Sequence, residues 1–147
     1  MRRLKLVLPV AAAAAAFLAS SAAADPPTFV PLPTADFTDT TSCAFPVAIS
    51  YGTSCERAVI FTNGDVNVNG PVTATFAANG KSVSLNISGP AFIRGDTVIG
   101  RGVGAGPTAL PGGGVTLAYN AGVVDISSPV AVFVHAHMLL DICAALA

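Results

Sequence analysis

Charged side chains make up only 10% of this 147-residue chain, and the basic ones are scattered. Beyond residue 24 the bases are Arg57, Lys81, Arg94 and Arg101, against eight carboxylates, which gives that part a net charge of −4. A nucleic-acid surface needs clustered lysine and arginine to displace counterions from phosphates, so nucleic acid is excluded as a partner. Long helical periodicity is missing, which excludes a helical bundle. No apolar run reaches the roughly 20 residues of a membrane span.

Motifs of catalysis are missing as well. Ser50, Ser54, Ser84 and Ser88 lack a nucleophile elbow, and no histidine and acid are spaced as a triad. Residues 100 to 114 hold seven glycines and two prolines, with Gly100, Gly102, Gly104 and Gly106 at alternate positions. A phosphate cradle would have to open a helix after a strand, and no helical pattern follows. That stretch reads as a flexible or bulged connection, placed at the mouth of a barrel. No cofactor is expected.

What is present begins with Arg2, Arg3 and Lys5, then an apolar run from Leu6 to Ala19, then small residues up to Ala24. This is the pattern of a cleaved secretory signal peptide over residues 1–24, with Ala22 and Ala24 before the cut. The expected localisation is therefore secreted, with no stable membrane span after cleavage. Residues 25–42 carry four prolines without sustained alternation and read as an extended Pro/Thr-rich arm. Residues 43–147 form the expected domain.

That domain alternates in short runs. Val72 to Ser88 reads as a hairpin about Asn79-Gly80, with Phe76 facing Val83, Ala74 facing Leu85 and Val72 facing Ile87. Asn63-Gly64 reads as a second two-residue turn, placing Phe61 opposite Val66 and Val59 opposite Val68. Gly52-Thr53-Ser54 and Asn120-Ala121-Gly122 read as turns, and Ala91 to Ile99 as a strand bent or turned at Gly95-Asp96. Leu139 to Leu146 reads as a last strand or a short helix. About eight strands at this spacing predict an all-β fold, either a small up-and-down antiparallel barrel or a β-sandwich.

His135-Ala136-His137 would put two imidazoles on one strand face, which makes them the candidate metal pair. No third ligand is marked nearby, so a polar face is expected rather than a metal site. Arg94, Asp96 and Arg101 fit salt bridges and a solvated turn.

Several short motifs occur together: Cys43-Ala44-Phe45-Pro46-Val47, the Asn63-Gly64 turn, Asn86-Ile87-Ser88-Gly89-Pro90, Gly100-Arg101 and the closing Asp141-Ile142-Cys143-Ala144-Ala145-Leu146. In these the chain resembles a group of uncharacterised secreted actinobacterial β-domain proteins. That group opens with Cys-x-Phe-Pro-Val and closes with Asp-x-Cys-Ala-x-Leu. The likeness covers residues 43–146, departs at Ala44 and by the additional Cys55, and implies a small exported β domain without a named activity.

Three cysteines allow one internal bridge. With Cys43 and Cys55 at the starts of two successive strands joined at Gly52, they would stand about 26 Å apart, at ~3.3 Å per residue. A disulfide needs Cα atoms within about 7 Å. Cys143 can return beside the first strand, so Cys43–Cys143 is the expected bridge, and the resemblance points the same way. Cys55 is then a free or intermolecular thiol. The functional expectation is a non-enzymatic binding or structural module of the cell exterior. The alternative is a small apolar-ligand carrier or cyclase-like β-barrel.

Overall fold

The computed structural model describes residues 25–147, so the segment read as a signal peptide lies outside the described residues. Eleven strands and one short helix follow in order: β1 (Thr28–Pro31), β2 (Phe37–Asp39), β3 (Val47–Ser54), β4 (Arg57–Ile60), β5 (Val66–Asn69), β6 (Val72–Ala78), β7 (Lys81–Asn86), β8 (Ala91–Arg94), β9 (Thr97–Ala109), β10 (Val115–Asp125), β11 (Val132–Asp141) and α1 (Ile142–Leu146). They make a seven-stranded sheet, β1-β4-β5-β8-β9-β10-β11, and a four-stranded sheet, β2-β3-β6-β7. Every strand pairing within them is antiparallel. Of the two expected architectures the sandwich-like one is present, without a closed barrel.

The hairpin β6–β7 has the register its alternation dictates. Phe76 pairs with Val83, Ala74 with Leu85 and Thr75 with Ser84, and the Ile87 N–H donates to the Val72 carbonyl. Ala74 and Phe76 are buried while the Thr75 and Ser84 hydroxyls bond to each other at 2.7 Å on the exposed face. Asn79 (φ 53°) and Gly80 (φ 74°) supply the two positive φ values of a type I′ turn. A Cβ on Gly80 would meet nothing within 4 Å, so only backbone strain opposes substitution. Gly80→Val should therefore cost about 1–2 kcal/mol by denaturant unfolding, with the fold retained.

This turn also holds the C-terminus. Asn79 Nδ2 donates to the Leu146 carbonyl at 2.9 Å, and Lys81 Nζ donates to the Ala147 carbonyl. Asp141 caps α1 by accepting from the Ala144 N–H at 3.0 Å and also accepts from Thr116 Oγ1 at 2.8 Å. Ile142 and Leu146 can then join Val47, Ile49, Ala74, Phe76 and Leu117 in one core between the sheets. Cys43 and Cys143, with Cα atoms 5.4 Å apart, form a disulfide beside that core.

Several local expectations are corrected. The segment read as an arm contributes an outer strand to each sheet, with β1 on β4 and β2 on β3. The Asn63-Gly64 register is shifted by one, so that Ile60, not Phe61, faces Val66. Only Gly64 takes positive φ, the Gly64 N–H donates to the Phe61 carbonyl, and Phe61 N–H donates to Asp65. That is a type I turn closed by a glycine bulge, one residue longer than the two-residue turn. Asn63 favours it by bonding the Asp65 N–H through its side chain at 3.1 Å.

Gly52-Thr53-Ser54 is no turn. β3 runs through it with an irregularity between Tyr51 and Ser54, and the Thr53 N–H bonds Thr73 Oγ1. The chain then crosses to the other sheet at Cys55-Glu56, so β3 and β4 do not form a hairpin. The separation of Cys43 from Cys55 survives, because β3 is still extended between them. Asn120-Ala121-Gly122 is also no turn, since it lies inside β10, paired on both edges. Gly95-Asp96 does turn the chain, with Arg94 facing Thr97.

Candidate functional site

The largest departure from expectation defines the site. Gly100 to Ala109 is not a connection but the greater part of β9, a 13-residue strand. Only residues 110–114 form the turn, closed by Leu110 N–H to Gly114 and Gly113 N–H to Leu110. Glycine-rich backbone holds here because β9 is paired residue by residue with β10, from Ile99–Asp125 to Ala109–Val115. Its other edge is covered by β8, by Gly89-Pro90 and by Ala131, through Gly89 N–H to Val103, Arg101 N–H to Pro90 and Ala131 N–H to Pro107. Tertiary pairing overrides weak strand propensity.

Alternate strand residues share a face, so the four glycines leave one face of β9 bare. Across from them on β10 stand Val124, Gly122, Asn120 and Ala118. The result is a groove of about 220 Å3, floored by the glycines, with Ile87, Ala91, Val124, Ile126 and Ala131 along its sides and Glu56 among its lining residues. The opposite face of β9 carries Ala105, which packs with Leu117 and Tyr119 of β10 on the main core.

The backbone demands glycine at some of these positions and not at others. Gly122 has φ 124° and a Cβ there would overlap the His135 carbonyl, while Gly102 has φ 78°. Gly104 and Gly106 have no such φ. A Cβ at Gly104 would meet only Asn120 Oδ1, at 3.8 Å, and one at Gly106 would meet nothing within 4 Å. Their missing side chains make room rather than relieve strain.

Three polar side chains line that room, Asn120, Glu56 and Arg101. Asn120 is 6% exposed and lines the groove, yet among the described residues its carboxamide has no hydrogen-bond partner. It is not an orphaned buried group, since Ser54 Oγ alone is that among the described residues, so its polar atoms are open to the groove and available to a ligand. Glu56 is half-buried, and burial holds its carboxyl above the ordinary value. Tyr51, outside the groove, is pushed up by burial, then by the charges of Glu56 and Asp36. The neighbouring guanidiniums are engaged elsewhere, Arg57 over Phe29 at 5.6 Å and Arg101 over Phe92 at 5.3 Å. Arg94 pairs with Asp65 at 3.4 Å, as a surface turn allows.

His135 and His137 lie exposed on β11, an outer strand of the large sheet. Among the described residues no group of three or more metal-ligating side chains converges. His135→Gln with His137→Gln should leave the melting temperature unchanged with and without zinc. A zinc-dependent rise confined to the unsubstituted protein would count against that. Cys55 is an exposed free thiol, its N–H bonded to the Pro71 carbonyl.

Neither Asn120 nor Glu56 was singled out by sequence reasoning. The usable signal was the spacing of Gly100, Gly102, Gly104 and Gly106, which is the strand period of two with one face left empty. No helix among the described residues is long and apolar enough to cross a membrane. The chain matches no protein-family profile, no curated protein and no solved structure.

Proposed function

We propose that this chain is an exported, non-enzymatic binding module that holds a small ligand in the glycine groove of β9 and β10. The observation that carries the reading is Asn120, a residue nine-tenths buried whose carboxamide makes no protein hydrogen bond and faces a space that two conformationally unnecessary glycines keep open. The Cys43–Cys143 disulfide is compatible with an extracellular location. The likeness to secreted actinobacterial β-domain proteins points in the same direction.

The carrier alternative calls for a deep apolar cavity. The space between the sheets, bounded by Ile49, Phe76, Ala105 and Leu117, is about 100 Å3, well below the ~300–1,000 Å3 of ordinary small-molecule sites. The groove at about 220 Å3 suits a small group or the side chain of a larger partner. An amide-resolved NMR titration with a panel of small alcohols, amines, acids and aromatics tests the reading. Shifts should concentrate at residues 102–106, Asn120 and Gly122. Shifts spread over the surface, or none with any probe, would overturn it.

A further inference from the structure

The groove's chemistry narrows its ligand, and the narrowing rests on the binding reading above. Its polar lining includes a carboxylate, Glu56, which among the described residues has neither salt bridge nor side-chain hydrogen bond, and a carboxamide, Asn120, equally unengaged. The two arginines close in sequence or lining, Arg57 and Arg101, have their guanidiniums over aromatic rings. The sides between are aliphatic, from Ile87, Val124 and Ile126. A space of about 220 Å3 holds roughly seven water-sized groups at ~30 Å3 each.

An anion would face the Glu56 carboxylate, which no salt bridge engages, while the Arg101 guanidinium is held over Phe92. A large ring would exceed the space. A neutral apolar molecule would leave both polar groups desolvated without partners. We infer that the groove takes a primary ammonium group on a short aliphatic stem, with Glu56 as its counter-ion, Asn120 accepting a hydrogen bond from it or from an adjoining polar group, and the stem along Ile87 and Val124. The same chemistry is offered by a free alkylamine and by a lysine side chain of another protein. The net charge of −4 beyond residue 24 favours approach of either.

The test is NMR titration of the full folded protein with n-butylamine, n-butanol, butyrate and a lysine capped at both backbone ends. n-Butylamine should shift the amides of residues 102–106 and Asn120 saturably, and n-butanol and butyrate should bind at least about tenfold more weakly. Glu56→Gln should weaken the amine about tenfold or more and leave n-butanol unchanged, while Gly104→Val should abolish binding by filling the space. The capped lysine binding as tightly as n-butylamine identifies a protein side chain as the source, and its exclusion identifies a free amine. n-Butanol binding as tightly as n-butylamine at the same residues would overturn the ammonium assignment and leave the groove as a site. No saturable shift with any of the four probes would overturn both.

Discussion

Replacing Cys43 and Cys143 by serine should lower the unfolding free energy by about 4–5 kcal/mol, the largest single effect expected in this protein. The bridge spans 100 residues of sequence, and constraining so long a loop removes much of the unfolded chain's freedom. It joins the chain just before β3 to α1, the helix that supplies Ile142 and Leu146 to the core. The Leu117 N–H also rests on the Cys143 sulfur at 3.3 Å. Most of the loss should appear in the denaturant midpoint with a changed slope, because the unbridged unfolded state exposes more surface. Thiol titration of the native protein should find one reactive group, Cys55. Two or three reactive thiols, or a main non-reducing peptide joining Cys55 to either partner, would contradict the bridge.

Asp39 should give the second largest effect. It is 9% exposed and accepts four hydrogen bonds, from the N–H and Oγ1 of Thr41 and the N–H and Oγ of Ser42, at 2.6–3.1 Å. These fix the bend that delivers Cys43 to its partner. Bonds to a charged acceptor contribute more than neutral ones, so Asp39→Ala should cost about 2–4 kcal/mol. Burial pushes the Asp39 carboxyl up, but the bonds from the Ser42 hydroxyl, the Thr41 and Ser42 backbone and the Thr41 hydroxyl outweigh it and hold it below its ordinary value. A carboxyl lowered on folding contributes stability that is complete above its unfolded value, near 3.9, and is lost as pH falls through the folded one. The unsubstituted protein should therefore lose stability below about pH 4 more steeply than Asp39→Asn. Equal acid sensitivity of the two would contradict this. Asp39 is close to the disulfide, so the two losses should combine to less than their sum.

Where turn chemistry and alternation agreed, the fold was legible. The apolar positions of β6 and β7 admit one pairing, because a slip of one residue would expose Phe76 and Ala74, and a type I′ turn at Asn79-Gly80 agrees with that pairing. At Asn63-Gly64 the same dipeptide misled. Asparagine also closes a side-chain turn with the residue two places on, which shifted the register by one. β1 and β2 were hidden because Thr28–Pro31 and Phe37–Asp39 are short and mostly exposed, so burial imprints no alternation on them. The sheet-to-sheet crossing at Cys55-Glu56 depends on which strands pair at a distance, which local pattern does not encode.

The groove was the hardest part to read. Glycine between prolines and more glycine ordinarily marks a loop, and the strand identity of residues 100–109 comes from neighbours on both edges. Asn120 followed by Ala121-Gly122 carried a turn signature, yet Gly122 serves a close approach to the His135 carbonyl of β11. Glu56 stood beside a cysteine at a strand boundary, with nothing in sequence to place it in the same recess as residues 100–106.

The stability of the double variant Gly104→Ala, Gly106→Ala tests most directly whether these glycines serve a ligand rather than the fold. Neither has a φ that resists a side chain, and both added Cβ atoms fit without overlap. Each alanine should remove unfolded-chain entropy for a gain of about 0.4–1 kcal/mol, so the variant should unfold at higher denaturant than the unsubstituted protein. A loss of more than about 1 kcal/mol would mean the bare face of β9 is required by packing, and the groove would then be a consequence of the fold.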